Sequence, residues 1–394
     1  MSDSDEFEVV VVGGGAVGLS VAFELATRRR ADAQAVSIAI VDPGEDGRMT
    51  SGAAAGILPP ANFDSATEAI ERLRGLSHRR FDDWVNRVET TSSQSTGYQR
   101  CGAVYLATTP GEAAALAAMR FDADASGIQV EPLDVREAVR RVGRTTRLDD
   151  VRAAAWVPDE RQISPRRYVE ALRTACVAIG VRQIRGSVNA VRQHPPAVRL
   201  DISGANTGSV SARRVVLCGG PSLGMIDPEL RMTAAVVPIR GHVLHLRVPD
   251  ADSASPMKVN PMIVNVGHRY VIFRTDATAV VGSDEQEAGF DWSVDPDAIE
   301  SLRTFAAGLF PSLENAPTLD AWSGLRPMTF DGYPMIGRLP DSENIWVAGG
   351  HFRSGLHLSP ATATIIADMM DDRPMVMDTS PFAVRRDRIA DPHH

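Results

Sequence analysis

Lysine is nearly absent from this chain. Of its 41 basic residues only one, Lys258, is a lysine, so any chemistry that needs a lysine side chain has a single candidate. That candidate lies in a polar stretch, residues 251–260, whose composition predicts a solvated loop. Cysteine is also scarce: Cys101, Cys176 and Cys218 are odd in number and far apart. Their spacing excludes a disulfide framework and a zinc site and points to buried thiols in a reducing compartment. His242 and His245 lie in a strand-like run, where an odd spacing turns them to opposite faces and denies them a shared metal. No apolar run approaches the ~18 residues of a membrane span. Residues 1–8 are acidic without an apolar core, so no secretory leader is expected and a cytoplasmic location is. A formal net charge of -9 and the lack of a basic, aromatic-interleaved patch argue against nucleic acid as a partner. With 394 residues, 44% of them hydrophobic and 23% charged, the chain is long enough for two domains with well-formed cores.

What is present begins near the N-terminus. Val9 to Val12 run straight into Gly13-Gly14-Gly15-Ala16-Val17-Gly18. Gly13 permits a tight turn, Gly15 lets phosphates approach the backbone, and Gly18 lets the following helix pack close to the strand. An amphipathic helix is expected from Ala16 to Arg29, with Arg28, Arg29 and Arg30 as a solvated, dipole-compatible end. A second β-rich run, Val36 to Val41, ends in Asp42, where a ribose hydroxyl would donate to an acid. Strand, glycines, helix, strand and terminal acid together predict a site for the ADP part of a dinucleotide. After Pro43 comes Thr50-Ser51-Gly52-Ala53-Ala54-Ala55-Gly56-Ile57, small residues that either let the backbone lie flush against a flat ring system or let helices pack closely.

Further on, helical patterning fills much of Ser65 to Glu89, and a short strand at Ala103 to Thr108 precedes an Ala-rich helix. Ser164-Pro165 signals another helix, to about Ile179, followed by a strand around Val188. Arg213 to Leu217 reads as a buried strand ending in the Gly219-Gly220 turn. The pattern is then β-rich, with hairpin strands at Gly241 to Val248, Arg269 to Arg274 and Ala279 to Gly282. Near the C-terminus a strand at Ile345 to Ala348, a glycine-flanked loop from Gly349 to Gly355 and a helix from Leu358 to Met370, opened by Ser359 and Pro360, are expected. A helix N-terminus aimed into the crevice suits the negative charge that a reduced flavin develops. The expected fold class is α/β: a Rossmann-like nucleotide domain (1–95, 155–235 and 320–394) and a substrate domain of antiparallel sheet plus helices (96–154 and 236–319).

The chain resembles the D-amino-acid oxidase-like flavoenzymes, and within them the glycine oxidase branch. Six segments carry the likeness: Val9 to Ser20, Thr50 to Leu58, Arg269 to Arg274, Val280 to Asp291, Trp322 to Gly337 and Ala348 to Thr362. The resemblance implies a glutathione reductase-type FAD domain. FAD would be held non-covalently, because Met328 stands close to where covalently flavinylated relatives carry a cysteine. It implies cofactor contacts at Gly13, Gly15, Ala16, Val17, Gly18, Asp42, Pro43, Thr50, Ser51, Ala54, Ala55, Gly56, Ile57, Val188, Gly219, Gly220, Gly350, Arg353, Ser354, Gly355 and Leu356.

For the substrate, Arg326 sits in Gly324-Leu325-Arg326-Pro327, where Pro327 favours an extended backbone. A guanidinium there suits a structural ion pair as well as a ligand; the resemblance implies that it clamps a substrate carboxylate. Tyr270 is implied to donate to the same carboxylate, Arg353 to border flavin and substrate, and His268, placed on Tyr270's face by strand parity, to be a polar wall or proton acceptor. The implied reaction is hydride transfer from a small amino acid or amine to flavin N5, giving an imine that hydrolyses to a keto acid and ammonia, with molecular oxygen reoxidising the flavin. Ser354, His357 and Phe273 depart from the family motifs, and the first two suggest an extra polar group for a larger or more polar amine than glycine. A D-amino-acid dehydrogenase, a sarcosine-like oxidase and an FAD-binding subunit of a hetero-oligomer share these motifs, and assembly into a homo-oligomer is left open.

Overall fold

The computed structural model describes residues 6–44, 50–142, 150–226, 236–249, 262–340 and 342–386. Lys258 and its polar stretch therefore lie outside the described residues.

Val9 to Val12 are all buried, as in a strand covered on both faces. The strand Glu6–Val12 pairs in parallel with Ile38–Asp42 on one side and with Gly208–Leu217 on the other. Val9 and Val11 pack under the helices Ala16–Ala31, Ala69–Ser92 and Gly355–Met370, while Val10 and Val12 pack with Ala39, Val41, Val215 and Leu217 on the opposite face. Ile345–Gly349 adds a parallel partner to the end of Gly208–Leu217, and an antiparallel hairpin, Ser187–His194 with Ala197–Ser203, extends its beginning. The helix expected at Arg29 runs to Ala31, and the strand expected from Val36 occupies Ile38–Asp42.

A second eight-stranded sheet runs in the order Thr318–Thr329, Val236–Arg247, Thr278–Gly282, Arg269–Phe273, Met262–Val266, Ala103–Ala107, Ala153–Val157, Glu131–Leu133. Its alternation is regular. Leu244, Leu246, Val264, Val271, Phe273 and Val281 pack against the Pro296–Leu309 helix, whereas Val243, Ile263, Tyr270, Ile272 and Val280 share the other face with Ala55, Ile57, Tyr105 and Trp322. Thr318–Thr329 and Ala153–Val157 belong to this second sheet, so the boundaries drawn at 320 and 155 each fall inside one of its strands. Turn signals mark where strands end, but they do not say which sheet a strand joins.

Arg28 and Arg29 are not a solvated helix end. Arg28 pairs with Glu24, Asp368 and Asp371, and Arg29 with Glu8 and Asp371. Apart from Glu24 of the same helix, these carboxylates are contributed by the first strand and by the end of the C-terminal helix, which the arginines clasp together. Among the described residues no helix is long and apolar enough to cross a membrane.

Candidate active site

Gly13 adopts φ +109°, and a Cβ on it would lie 2.3 Å from the carbonyl oxygen of Cys218. A Cβ on Gly18 would lie 2.0 Å from the Gly13 oxygen. Neither site admits a side chain, which is what lets the Ala16–Ala31 helix start against the end of the strand. No side chain at its N-cap position, Gly15, closes that helix and no acid lies in its first turn, so its positive end is open to an anion. Ser51 Oγ accepts from the Ala16 N–H at 3.0 Å, bringing the small-residue run beside the turn. Asp42 accepts from the Gly14 N–H at 2.6 Å and, beyond Pro43, from the Gly44 N–H at 2.8 Å, so it braces the glycine turn as well as facing the ribose position. Val188 follows Gly186, whose N–H donates to the Asp42 carbonyl at 2.9 Å.

Residues 50–57 form the seam between the sheets. Thr50 donates its hydroxyl to the Leu325 carbonyl at 2.7 Å, Trp322 Nε1 donates to the Ala53 carbonyl at 3.1 Å, and Arg274 donates to the Ala55 and Ile163 carbonyls at 3.0 and 3.2 Å. Burial pulls Arg274 down to about 10. Gly56, at φ +82°, would place a Cβ 2.0 Å from the Ile163 oxygen. Ala54, Ala55 and Ile57 keep some exposure on this seam, and Gly219 and Gly220 lie at the end of Gly208–Leu217, with Gly220 close to the Thr50 hydroxyl.

The C-terminal loop approaches from the other side. Gly350 has φ +74°, and its Cβ would meet Thr329 Cγ2 at 2.4 Å. The following helix begins at Gly355, earlier than Leu358, and Pro360 lies inside it. It survives that proline because side chains replace the missing bonds. Ser359 Oγ donates to the Leu356 carbonyl at 2.9 Å, which Pro360 cannot do, and Ser77 Oγ donates to the His357 carbonyl. Ser354 and Leu356 flank this start, and like the first helix it has neither a side-chain cap nor an acid in its first turn. His357 does not add a polar group beside the crevice: it packs against Phe81 and His78 of the Ala69–Ser92 helix, where burial and the neighbouring His78 hold it well below its ordinary value.

Register across the second sheet lines up Trp322, Val243, Gly282, Tyr270, Asn265 and Tyr105, one from each of six neighbouring strands. The Tyr270 ring lies over Gly282, whose Cβ would be 2.2 Å from the phenol oxygen. The Arg326 guanidinium lies over Gly241, whose Cβ would be 2.2 Å from Nη2. Arg326 donates from Nη1 to the Asp284 carbonyl at 3.1 Å and from Nη2 to Ser283 Oγ at 2.9 Å; a guanidinium carries five N–H donors, and these two bonds engage two of them. Burial lowers the Arg326 pKa, and burial raises that of Tyr270 against the pull of Arg326. Arg353 donates Nε to Glu285 Oε1 at 2.7 Å.

The turn that receives Arg326 is itself anchored. Asp284 accepts from the His242 N–H at 2.6 Å and pairs with Nδ1 of the same residue at 2.8 Å, while His242 Nε2 accepts from the Asp295 N–H. Nδ1 therefore carries the proton of a neutral imidazole. Burial works to raise the Asp284 carboxyl, but the His242 bonds outweigh it and hold the group below its ordinary value. Tyr105 donates to the fully buried Glu160 carboxyl at 3.0 Å, and burial pushes Glu160 up to about 7.

Arg326, Tyr270 and Arg353 thus converge, but His268 does not join them. It is exposed in the two-residue turn Gly267-His268 between paired strands, because Val266 and Arg269 already close the ladder and the parity rule stops there. Asn265 stands opposite Tyr270 instead, on the same face and 9% exposed. Asn265, Asp284 and Glu285 were not singled out from sequence, and His242 was weighed only as a metal ligand. Isolated glycines at 241 and 282 inside strand patterns are the signal that could have led to this neighbourhood, since such glycines mark close approach.

The arrangement, two helix N-termini whose N-cap residues supply no side-chain cap, glycines that exclude Cβ atoms and a small-residue seam, fits a bound dinucleotide with a flat ring system. The chain matches the family described as DAO, FAD dependent oxidoreductase, over residues 8–369. It is 29% identical to a glycine oxidase of Pseudomonas putida, covering 95% of this chain and 98% of that one. It is 27% identical to a glycine oxidase of Geobacillus kaustophilus over 96% of this chain and 97% of that protein. The crystal structure of glycine oxidase from Geobacillus kaustophilus superposes with a TM-score of 0.86, covering 97% of this chain and 99% of that one.

Proposed function

The chain belongs to the FAD dependent oxidoreductase family, and on that premise we propose that it oxidises a small amino acid or related amine to an imine, which water converts to a keto acid and ammonia. FAD, when bound, supplies the electron acceptor. Support comes from one relationship above all: Arg326 and Tyr270, two donors suited to a carboxylate, are laid over Gly241 and Gly282 so that both reach the same part of the crevice.

The first helix, Ser51 and Asp42 would hold the pyrophosphate and ribose, and the seam at residues 50–57 with the loop from Gly350 to Leu356 would hold the ring system. Arg326 would bind the substrate carboxylate through the N–H groups not engaged by Ser283 and Asp284, with the Tyr270 hydroxyl as a further donor. This fixes the α-carbon relative to the ring, which is most of what the protein contributes in such a reaction. No side-chain base is required.

The relatives named glycine oxidase support molecular oxygen as the acceptor and a substrate as small as glycine. The test is anaerobic mixing of the yellow protein with glycine, sarcosine and D- and L-amino acids, followed by admission of air. Bleaching identifies the substrate, and recovery of colour with hydrogen peroxide identifies the acceptor. Failure of every amine to bleach the flavin would overturn the proposal.

A further inference from the structure

The carboxylate-clamp reading places two arginines at the substrate, and a carboxylate of the protein's own already stands between them. Glu285 Oε1 is 2.5 Å from Arg353 Nη2 and 3.9 Å from Arg326 Nη1. Its place is set by the residues on either side. Ser283 and Asp284 are held by Arg326, and Asp284 by His242; Gln286 exchanges backbone bonds of 2.9 Å with Arg240 and accepts from the Arg240 side chain at 2.6 Å. An ion pair with side chains 46% and 39% exposed contributes little to holding a fold together, so the Glu285–Arg353 contact has no evident structural purpose.

Its electrostatic consequence is definite. The groups that touch the clamp, Arg326, Arg353 and Glu285, sum to one positive charge, and the Asp284 carboxylate, bonded to the neutral His242, adds a negative charge behind Arg326. One substrate carboxylate therefore already leaves no positive charge in excess. A second would face Glu285 with no cation left to pair it, in a place where water is already partly excluded from Arg326. Resting on the reading above, we propose that Glu285 is a specificity-determining residue that admits amines with a single carboxylate and rejects those carrying a second acidic group.

The experiment compares wild type with Glu285→Gln, which keeps the shape and an acceptor for Arg353 but removes the charge, and with Glu285→Asp, which keeps the charge. Acetate and malonate, neither of them an amine, are titrated into each FAD-loaded protein and their binding read from the perturbed flavin absorption. kcat/KM for glycine and iminodiacetate is measured in parallel. The malonate-to-acetate affinity ratio should rise by about tenfold or more in Glu285→Gln and stay near wild type in Glu285→Asp, with the iminodiacetate-to-glycine ratio moving the same way. An unchanged malonate-to-acetate ratio in Glu285→Gln overturns the inference. If no amine is oxidised by wild type, it is the proposed function that fails, and the titration still decides the role of Glu285.

Discussion

The guanidinium of Arg326 rests on the bare Cα of Gly241: a side chain at 241 would begin 2.2 Å from Nη2 and 2.3 Å from Nη1. Gly241 belongs to the strand Val236–Arg247, which pairs with Arg326's own strand, so neither partner can move aside without breaking the ladder.

Gly241→Ala should therefore displace the guanidinium and leave the nucleotide crevice intact. The loss of one charge-assisted bond, about 1.5–3 kcal/mol, corresponds to roughly ten- to a hundred-fold in kcat/KM. FAD content by absorption and steady-state kinetics on the same preparation check this. Wild-type kinetics in the variant would show that Arg326 acts elsewhere.

Arg326→Lys keeps a charge but loses the two-pronged geometry and the bonds to Ser283 and Asp284. Substrate capture should weaken by roughly ten- to a hundred-fold, seen mainly in KM, with FAD still bound. Equal KM values for the two proteins would remove Arg326 from the site.

Asp42→Ala should do the reverse. Asp42 accepts from the Gly14 N–H of the glycine turn and from the Gly44 N–H beyond Pro43, so its loss loosens the turn as well as removing a ribose partner. FAD occupancy after dilution and gel filtration should fall while the preference among amines stays as in wild type. Full flavin loading in dilute protein would count against this role.

FAD should be releasable. Met328 stands in the strand beside Arg326, bridging to His351 of the C-terminal loop, and Cys101, Cys176 and Cys218 lie elsewhere, their thiols pushed up by burial. Acid precipitation should leave all the colour in the supernatant; a yellow pellet would mean a covalent link.

Glu160 gives a stability test. Burial raises its pKa from an ordinary 4.5 to about 7, so the folded protein holds a proton there that the unfolded chain has lost. Stability from this group is complete below about pH 4.5 and falls as pH rises to 7, by on the order of 3 kcal/mol. Glu160→Gln should gain thermal stability over wild type at pH 8 and show no gain at pH 5. A Tm difference independent of pH would show that Glu160 is not a buried acid.

The nucleotide end of the site was legible because its chemistry is local: Gly13, Gly18 and Asp42 sit in one βαβ unit where each residue's job follows from its neighbours in sequence. Arg326, Tyr270 and Arg353 were reached through family resemblance, since Arg326 is brought to the site only by pairing its strand with one more than eighty residues earlier in the chain. His268 was misplaced because strand parity was carried one residue past the end of the ladder into a turn. Glu285 and the His242–Asp284 pair were missed for a related reason. They lie in and under an irregular turn after Thr278–Gly282, where no period assigns a face, and His242 is linked to that turn only through a strand forty residues earlier. Arg28 and Arg29 looked solvated because, Glu24 apart, the carboxylates that pair with them lie far away in sequence, at residues 8, 368 and 371.

Glu6–Val12 is flanked in its sheet by Ile38–Asp42 and by Gly208–Leu217, so one side of the first described strand waits for a partner some two hundred residues later in the chain. Until then one edge of its ladder stays open on the nascent chain, a state prone to mispairing. Expression yield should consequently respond to growth temperature and chaperone supply more steeply than the stability of the finished enzyme would suggest.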